Sequence, residues 1–150
     1  MSKFFSFEDE ILHTELAGLK LKNPIGLAAG FDKNIQFLSS MEQLGFGYVT
    51  GGTITKEPRP GNPSPRLLRI KEDKTLINSM GFPGEGLQVA AKRLQNLPIN
   101  PTAIRVVSVS GTTIEDIVAC QTTIQTLCSA IEVNISSPNT AGLRIFQKNP

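Results

Sequence analysis

Residues 103–135 of the chain read AIRVVSVSGTTIEDIVACQTTIQTLCSAIEVNI and contain a strand, a helix and a second strand in direct succession. The first run, Ala103–Val109, is rich in valine and isoleucine, as buried strands are. Thr113 and Asp116 resemble a capping box, and apolar residues then recur at helical intervals across residues 114–127. The last run, Ala130–Ile135, alternates apolar and polar residues. This order predicts a βαβ unit with parallel strands.

The same alternation extends upstream to Pro24, so the chain is predicted to hold four βα units. A loop at residues 55–65 contains four prolines, which exclude a helix or a central strand there. The predicted parallel strands are Ile25–Ala29, Phe46–Thr50, Ala103–Val109 and Ala130–Ile135, an additional hairpin pairs Arg66–Ile70 with Thr75–Asn78, and the earlier helices cover Ile35–Leu44 and residues 84–94.

Four βα units suit either half of an α/β TIM barrel, (β/α)8, or a doubly wound sheet. An eight-unit barrel needs about 250 residues. We therefore expect residues 1–150 to be the N-terminal half of a barrel, an incomplete single domain. Its open strand edges would be covered by a complementary half barrel or by another copy in a homo-oligomer.

Composition indicates one folded domain that binds a small molecule. Hydrophobic residues make up 39% of the chain, which is enough for a core. The 15 basic and 13 acidic residues are scattered and leave a net charge of +2, so no nucleic-acid partner is expected. Acidic residues interrupt the N-terminal segment before a signal peptide or membrane span can develop, which predicts a cytoplasmic protein.

The cysteines and the single histidine do not indicate a metal site. Cys120 and Cys128 lie in an apolar helical pattern, and their spacing matches neither metal ligands nor a redox motif. We interpret both as small hydrophobic residues of the core. His13 lies in a mixed polar and apolar segment, so a surface position is expected.

Small residues occupy alternate positions of the first strand, at Gly26, Ala28 and Gly30. The bare face suits either a flat ring system lying against the backbone or close packing of the strand against a helix. Lys33 follows on a loop, where it would bind an anion or form a structural salt bridge. We expect the ends of the first and fourth strands to face one pocket, with Lys33 and Ser137 at opposite ends of one planar ligand.

Polar side chains also follow the later strands. Together, Asn78, Asn134 and Asn139 suit a pyrimidine-like cyclic diamide, although a single asparagine in a turn more often binds its own backbone. Ser137 fits a nucleophile, a general base or a turn residue, and the lack of a histidine partner argues against a hydrolase triad. As a base it would need a second hydroxyl as a proton relay, for which Thr140 is the candidate.

Four motifs resemble the dihydroorotate dehydrogenases, particularly the serine-containing class 2. They are NPIGLAAGFDKN at 23–34, GFGYVTGGTITKEPRPGNPSPRLLR at 45–69, LINSMGF at 76–82 and VNISSPNTAGLR at 133–144. The resemblance implies a flavin-dependent TIM barrel that uses FMN to oxidise dihydroorotate to orotate in pyrimidine synthesis. It also implies an active site at the carboxyl ends of the strands.

The resemblance further implies a role for each matching residue. Ser137 would take the proton from C5 while C6 passes a hydride to flavin N5, and Phe82 and Thr140 would be the gate and the relay beside that serine. The residues implied for FMN are Ala29, Gly30, Lys33, Thr53, Ser108 and Asn134, and those implied for dihydroorotate are Lys33, Asn78, Asn134 and Asn139.

Three departures from the class 2 pattern bear on the electron acceptor and on activity. Ser108 stands where class 2 enzymes carry an asparagine, which resembles class 1 instead. Only about two dozen residues precede Pro24, too few for the membrane-binding extension that meets quinone. The acceptor stays open between quinone, fumarate and NAD, with peripheral membrane contact if it is quinone. Because the second half is absent, we expect negligible turnover from the 150-residue chain alone.

Two alternative functions stay open. Other flavin barrels, which oxidise or reduce dihydropyrimidines or dihydrouridine, resemble the last motif but carry cysteine where this chain has Ser137. The other alternative is a catalytically inactive half barrel that serves as an assembly fragment.

Overall fold

The computed structural model describes residues 7–99, 101–140, 142, 143 and 146. A 3-10 turn at Glu10–Leu12 comes first, followed by strands and helices in the order expected of βα units. The strands are β1 (Thr14–Leu16), β2 (Leu19–Leu21), β3 (Gly26–Asp32), β4 (Tyr48–Ile54), β5 (Leu67–Ile70), β6 (Thr75–Asn78), β7 (Ile104–Val109) and β8 (Ala130–Val133), and the helices are α1 (Leu38–Glu42), α2 (Leu87–Gln95) and α3 (Ile114–Ile124).

The main sheet is parallel, and its spatial order β3-β4-β7-β8 is the order of these strands along the chain. Neighbouring strands follow each other in this way in an α/β barrel, whereas the order reverses at the switch point of a doubly wound sheet. The predicted partial TIM barrel is therefore confirmed. Within the described part of the chain, β3 and β8 each keep one unpaired edge.

The core lies between the main sheet and the helices. Val49 and Val107 of the central strands are fully buried and pack with Leu38 of α1 and Ile124 of α3. Cys120 belongs to this cluster and Cys128 packs against it, which confirms their interpretation as core residues. The apolar cluster packs the helices against the sheet. The carboxyl ends of the strands share one edge because the strands are parallel.

Helix α1 is shorter than the predicted Ile35–Leu44. The two carboxylate oxygens of Asp32 accept hydrogen bonds from the backbone N–H groups of Gln36 and Phe37, each at 2.8 Å. Ile35 between them has φ +59°, which is outside the helical region. The apolar spacing predicted a helix here correctly, but the buried Asp32 carboxylate keeps the first predicted turn in a loop conformation.

Other boundaries also differ from the predictions. Strands β3 and β4 run on to Asp32 and Ile54, so they are longer than expected, while α3 ends at Ile124 rather than near residue 127. The hairpin of β1 and β2 was not predicted at all. Its turn residues Ala17 and Gly18 have φ +49° and +80°, which suits the tight turn of a two-residue hairpin.

His13 is exposed, which confirms its predicted position on the surface. The helices in the described part of the chain are all too short or too polar to cross a lipid bilayer.

A buried ion pair lies near the amino end of the sheet, away from the strand ends that carry the candidate site. Arg105 of β7 pairs with Glu42 of α1 through two hydrogen bonds, and both residues are buried. Arg105 Nη1 also donates to the carbonyl of Pro98 at 2.7 Å. The pair ties the first helix to the third parallel strand, and its hydrogen bonds offset the cost of burying both charges.

Candidate active site

A cavity of about 450 Å³ opens at the carboxyl ends of the parallel strands. Nine of the eleven predicted site residues line it, which is the outcome expected if strand ends in a parallel sheet converge. These nine are Ala29, Gly30, Lys33, Thr53, Asn78, Phe82, Asn134, Ser137 and Asn139. Lys33 and Ser137 both line this cavity, and their placement at opposite ends of one planar ligand stays a prediction.

Hydrogen bonds join three strand ends beneath the cavity. Asn134, just beyond β8, donates from Nδ2 to Thr53 Oγ1 at 3.3 Å, and the Thr53 and Ser108 hydroxyl oxygens are 2.9 Å apart. Asn134 is itself fixed, because its N–H donates to Val109 O and its carbonyl accepts from the Ser110 hydroxyl. These bonds hold the Asn134 and Thr53 side chains at fixed positions in the cavity wall.

Ser108 lies below this wall rather than in it. Its side chain is fully buried and does not line the cavity. The sequence placed Ser108 beside the cofactor, whereas the structure places Thr53 between Ser108 and the open space. Any influence of Ser108 on a ligand would therefore pass through the orientation of the Thr53 hydroxyl.

Lys33 brings a positive charge into the cavity. Its ammonium donates to the carbonyl of Gly30, and partial burial lowers the pKa of Lys33 below its usual value. No carboxylate among the described residues forms an ion pair with it. The neighbouring Asp32 is turned away and occupied with backbone N–H groups. A cation in this setting favours an anionic ligand.

The bare face of the first strand has two different uses. At Gly26 the space that a Cβ would take is filled by the ring of Tyr48, with the nearest atom 1.9 Å away. The ligand interpretation is wrong there, since Gly26 serves close packing. At Gly30, which has φ +103°, the nearest atom to an added Cβ is Lys33 Nζ at 3.6 Å. Gly30 and Ala29 therefore present a low backbone surface to the cavity.

Ser137 lies on the loop after β8, where neighbouring residues tie the loop to other segments. Asn139 Nδ2 donates to the carbonyl of Asn78 at 3.2 Å, and its own carbonyl accepts from Asn62 Nδ2 at 3.0 Å. Ser136 N–H donates to Asn134 Oδ1 at 3.3 Å. The Ser137 loop and the end of β6 thus form adjoining walls of one cavity.

Thr140 and Phe82 have unusual environments. The Thr140 hydroxyl is buried without a hydrogen-bond partner among the described residues, a situation that costs about 1–3 kcal/mol. It does not line the cavity, whereas Phe82 does. Phe82 has φ +55°, a conformation that is strained for a bulky side chain. Strain and unsatisfied groups of this kind concentrate at functional sites.

Sequence reasoning missed the apolar wall of the cavity. Leu67 and Leu76 of the β5–β6 hairpin line it, and Met80 and Pro83 continue the same wall. Leu67 and Leu76 are each about half exposed. The available signal was the apolar content of this hairpin, but Leu68, which points to the opposite face from Leu67, is just as apolar, so the sequence did not select a face.

Comparison with known proteins gives a consistent result. The model of the family described as dihydroorotate dehydrogenase matches residues 11–150. The chain is 41% identical over 152 residues to "Dihydroorotate dehydrogenase (quinone)" of Mycolicibacterium smegmatis, covering 98% of this chain and 43% of that protein. It is 42% identical over 154 residues to the protein of the same name from a Synechococcus strain, covering 98% and 40%.

Solved structures agree with the sequence relatives. DHODH from Eimeria tenella in complex with ferulenol matches with a TM-score of 0.85 and 35% identity over 93% of this chain and 40% of that one. The ligand-free form from the same organism matches with a TM-score of 0.84 over 93% and 42%. The chain thus spans about two-fifths of the length of the curated relatives it matches.

Proposed function

The chain belongs to the dihydroorotate dehydrogenase family, and from this premise we propose that it forms the substrate-facing part of an FMN-dependent enzyme that oxidises dihydroorotate to orotate. The observation that carries the proposal is the shared cavity of Lys33 and Ser137. A cation for a carboxylate and a hydroxyl for proton transfer are thereby available to one ligand.

The substrate is a cyclic diamide with a carboxylate, and the cavity offers groups that match both parts. Lys33 would bind the carboxylate, because its ammonium is partly buried and has no paired carboxylate among the described residues. Asn78, Asn134 and Asn139 would bind the ring amides through donors and acceptors that add no charge. Leu67 and Leu76 would exclude water from the other side.

In this proposal Ser137 takes a proton from C5 of dihydroorotate. A neutral serine is a weak base, so the proton must move on to a second group. Thr140 is the proposed relay, since its buried hydroxyl lacks a partner among the described residues. Phe82 would stand as the gate beside the serine, since it lines the same cavity.

The chemistry of the cavity also fits a flavin. FMN, when bound, would accept the hydride that leaves C6. Ala29 and Gly30 offer backbone that a flat ring can approach, and Thr53 with Asn134 offers fixed hydrogen-bonding groups. Lys33 would face both flavin and substrate, and Ser108 would act by orienting Thr53. The volume of about 450 Å³ is in the range of small-molecule sites.

We further propose that residues 1–150 act as the N-terminal half of a barrel completed by further strands, and that quinone is the electron acceptor. The unpaired edges of β3 and β8 in the described chain support the first point. The names of the curated relatives support the second. Ser137 argues against the dihydropyrimidine and dihydrouridine oxidoreductases, whose motif has cysteine there. Without the remaining strands, the 150-residue chain would have negligible turnover.

The proposal is tested by anaerobic titration of the FMN-loaded enzyme, with the chain joined to its complementary half. Dihydroorotate should bleach the flavin absorbance and yield one orotate per reduced flavin, and a quinone analogue should restore the absorbance. The 150-residue chain alone is the comparison and should show neither change. Flavin binding without reduction by dihydroorotate would reject the proposal and favour an assembly fragment.

A further inference from the structure

Asn62 lies in the proline-rich loop at residues 55–65 and connects three segments that are far apart in sequence. Its carboxamide Nδ2 donates to Ser79 Oγ, beyond the end of β6, and to the carbonyl of Asn139, both at 3.0 Å. Its backbone N–H donates to Met80 O at 2.9 Å. Both hydrogens of the amide are therefore used on other segments, unlike an asparagine that binds its own turn.

The surrounding backbone is shaped to admit this side chain. Gly81 has φ +69°, and a Cβ added there would lie 2.5 Å from Asn62 Oδ1. Arg66 holds the backbone of the loop from the other side, because its Nη1 donates to the carbonyls of Pro60 and Asn62. These contacts fix the position of the Asn62 side chain independently of its bond to the loop that carries Ser137.

Asn139 is the point at which the Ser137 loop meets these segments. It accepts from Asn62 with its backbone carbonyl and donates to Asn78 with its side chain. These two hydrogen bonds hold Asn139, two residues beyond Ser137, to the proline-rich loop and to the end of β6. Rotation of the Asn139 peptide would therefore shift Ser137 relative to the cavity, while the loop itself lies beyond the regular hydrogen bonds of β8.

We propose that Asn62 is a positioning residue that sets the Ser137 loop at the distance from the β5–β6 hairpin needed for proton transfer. This inference rests on the function proposed above for Ser137. Asn62 does not line the cavity and is not placed in contact with substrate or cofactor. Its effect is geometric, and displacement of a reacting group by about 1 Å can cost about a hundredfold in rate.

Two substitutions separate this role from a purely structural one. Asn62→Asp keeps the shape and can still accept a hydrogen bond from the Ser79 hydroxyl, but its carboxylate faces the Asn139 carbonyl with no hydrogen to donate. Ser79→Ala breaks the Ser79 contact and leaves the Asn62–Asn139 bond. If Asn62 mainly fastened the proline-rich loop to the hairpin, Ser79→Ala would be the more damaging change.

The first measurement is hydrogen–deuterium exchange of the full chain without ligand, for the peptide covering residues 134–143. Asn62→Asp should speed exchange there by about fivefold, the equivalent of one ordinary hydrogen bond, and Ser79→Ala should leave it unchanged. The second is the rate of flavin reduction in the holoenzyme at saturating dihydroorotate. Asn62→Asp should slow it by about tenfold or more, and Ser79→Ala should remain within about twofold of wild type.

The inference is overturned if Ser79→Ala matches or exceeds Asn62→Asp in either measurement, or if Asn62→Asp changes neither. If Asn62→Asp lowers the unfolding temperature enough to account for the lost activity, exchange should rise across the whole chain, which also overturns it. Absence of flavin reduction in the wild-type holoenzyme would instead reject the proposed function, because the exchange experiment uses neither FMN nor dihydroorotate.

Discussion

Asn134 and Thr53 are joined by a hydrogen bond of 3.3 Å from Nδ2 to Oγ1, although Thr53 lies in the second strand of the parallel sheet and Asn134 lies just beyond the fourth. The bond passes over the end of the strand between them, whose Ser108 hydroxyl lies 2.9 Å from Thr53 Oγ1. Polar groups from three strands therefore act as one unit beneath the cavity. A ligand that binds either Asn134 or Thr53 meets a group that is already oriented.

Ser137→Ala should slow flavin reduction by dihydroorotate by about 10²–10⁴-fold, the usual contribution of a positioned acid or base. The affinity for orotate should change little, since the hydroxyl is proposed to act on the reacting proton and not to hold the ring. Stopped-flow reduction and orotate titration measure the two quantities. Ser136→Ala is the matched control, because Ser136 is exposed and does not line the cavity. Equal losses of rate and affinity would assign Ser137 a structural role.

Binding of orotate should weaken at alkaline pH. Burial lowers the pKa of Lys33, so the ammonium loses its proton at a lower pH than an exposed lysine does, and attraction for the carboxylate falls as pH rises through that pKa. Lys33→Met should lower affinity by about tenfold or more at neutral pH and remove this dependence. Lys33→Arg, which stays charged, should shift the decline to higher pH. An unchanged pH profile in Lys33→Met would exclude this role.

Replacement of one partner of the buried Glu42–Arg105 pair should strongly destabilise the fold. Arg105→Met leaves the Glu42 carboxylate buried without its partner, at a cost of about 3–5 kcal/mol in the free energy of unfolding. Adding Glu42→Leu should recover much of the loss. Denaturant unfolding measures both.

The comparison for that pair is Lys56→Met, which breaks the more exposed pair of Lys56 Nζ and Asp116 Oδ1 at 3.2 Å. It should cost no more than about 1 kcal/mol. If Arg105→Met and Lys56→Met cost the same, the Glu42–Arg105 pair is not the anchor that its burial indicates.

Cys120 should resist alkylation until the chain unfolds. Burial, with a smaller contribution from Asp116, raises the pKa of the Cys120 thiol to about 11. At pH 8 only about one thiol in a thousand would then be thiolate, the reactive form. Mass spectrometry after iodoacetamide treatment at increasing urea should show Cys128, which is less buried, labelled first. Rapid native labelling of Cys120 would mean that α3 opens locally.

The parallel sheet could be predicted from the sequence because short apolar runs alternate with stretches of helical spacing. Thr113 marked the start of α3 correctly, and its hydroxyl accepts a hydrogen bond from Asp116 N–H. The position of the cavity followed from the same pattern, since the carboxyl ends of parallel strands share an edge. Lys33 and Ser137 could therefore be assigned to one pocket from the sequence.

The remaining features depend on contacts between distant residues. Helix α1 begins late because Asp32 binds the N–H groups that a first turn would present, and a sequence period does not reveal such a contact. The sequence left open whether Gly26 faces a ligand or allows close packing, and only the contact with the Tyr48 ring shows that it allows close packing. Ser108 is fully buried and lies 2.9 Å from the Thr53 hydroxyl, a depth that the sequence pattern did not reveal, and its role toward a cofactor stays a prediction.

The residues that line the cavity come from both ends of the parallel sheet. Lys33 follows β3, the first parallel strand of the chain, and Asn134 and Ser137 follow β8, the last described one. A chain that stopped at Val133 would contain all the described strands of the main sheet but would lack Asn134, Ser137 and Asn139 of the cavity wall. In such a shortened chain the apolar contacts between sheet and helices would have to hold the four strands together without help from a ligand bound at those three residues.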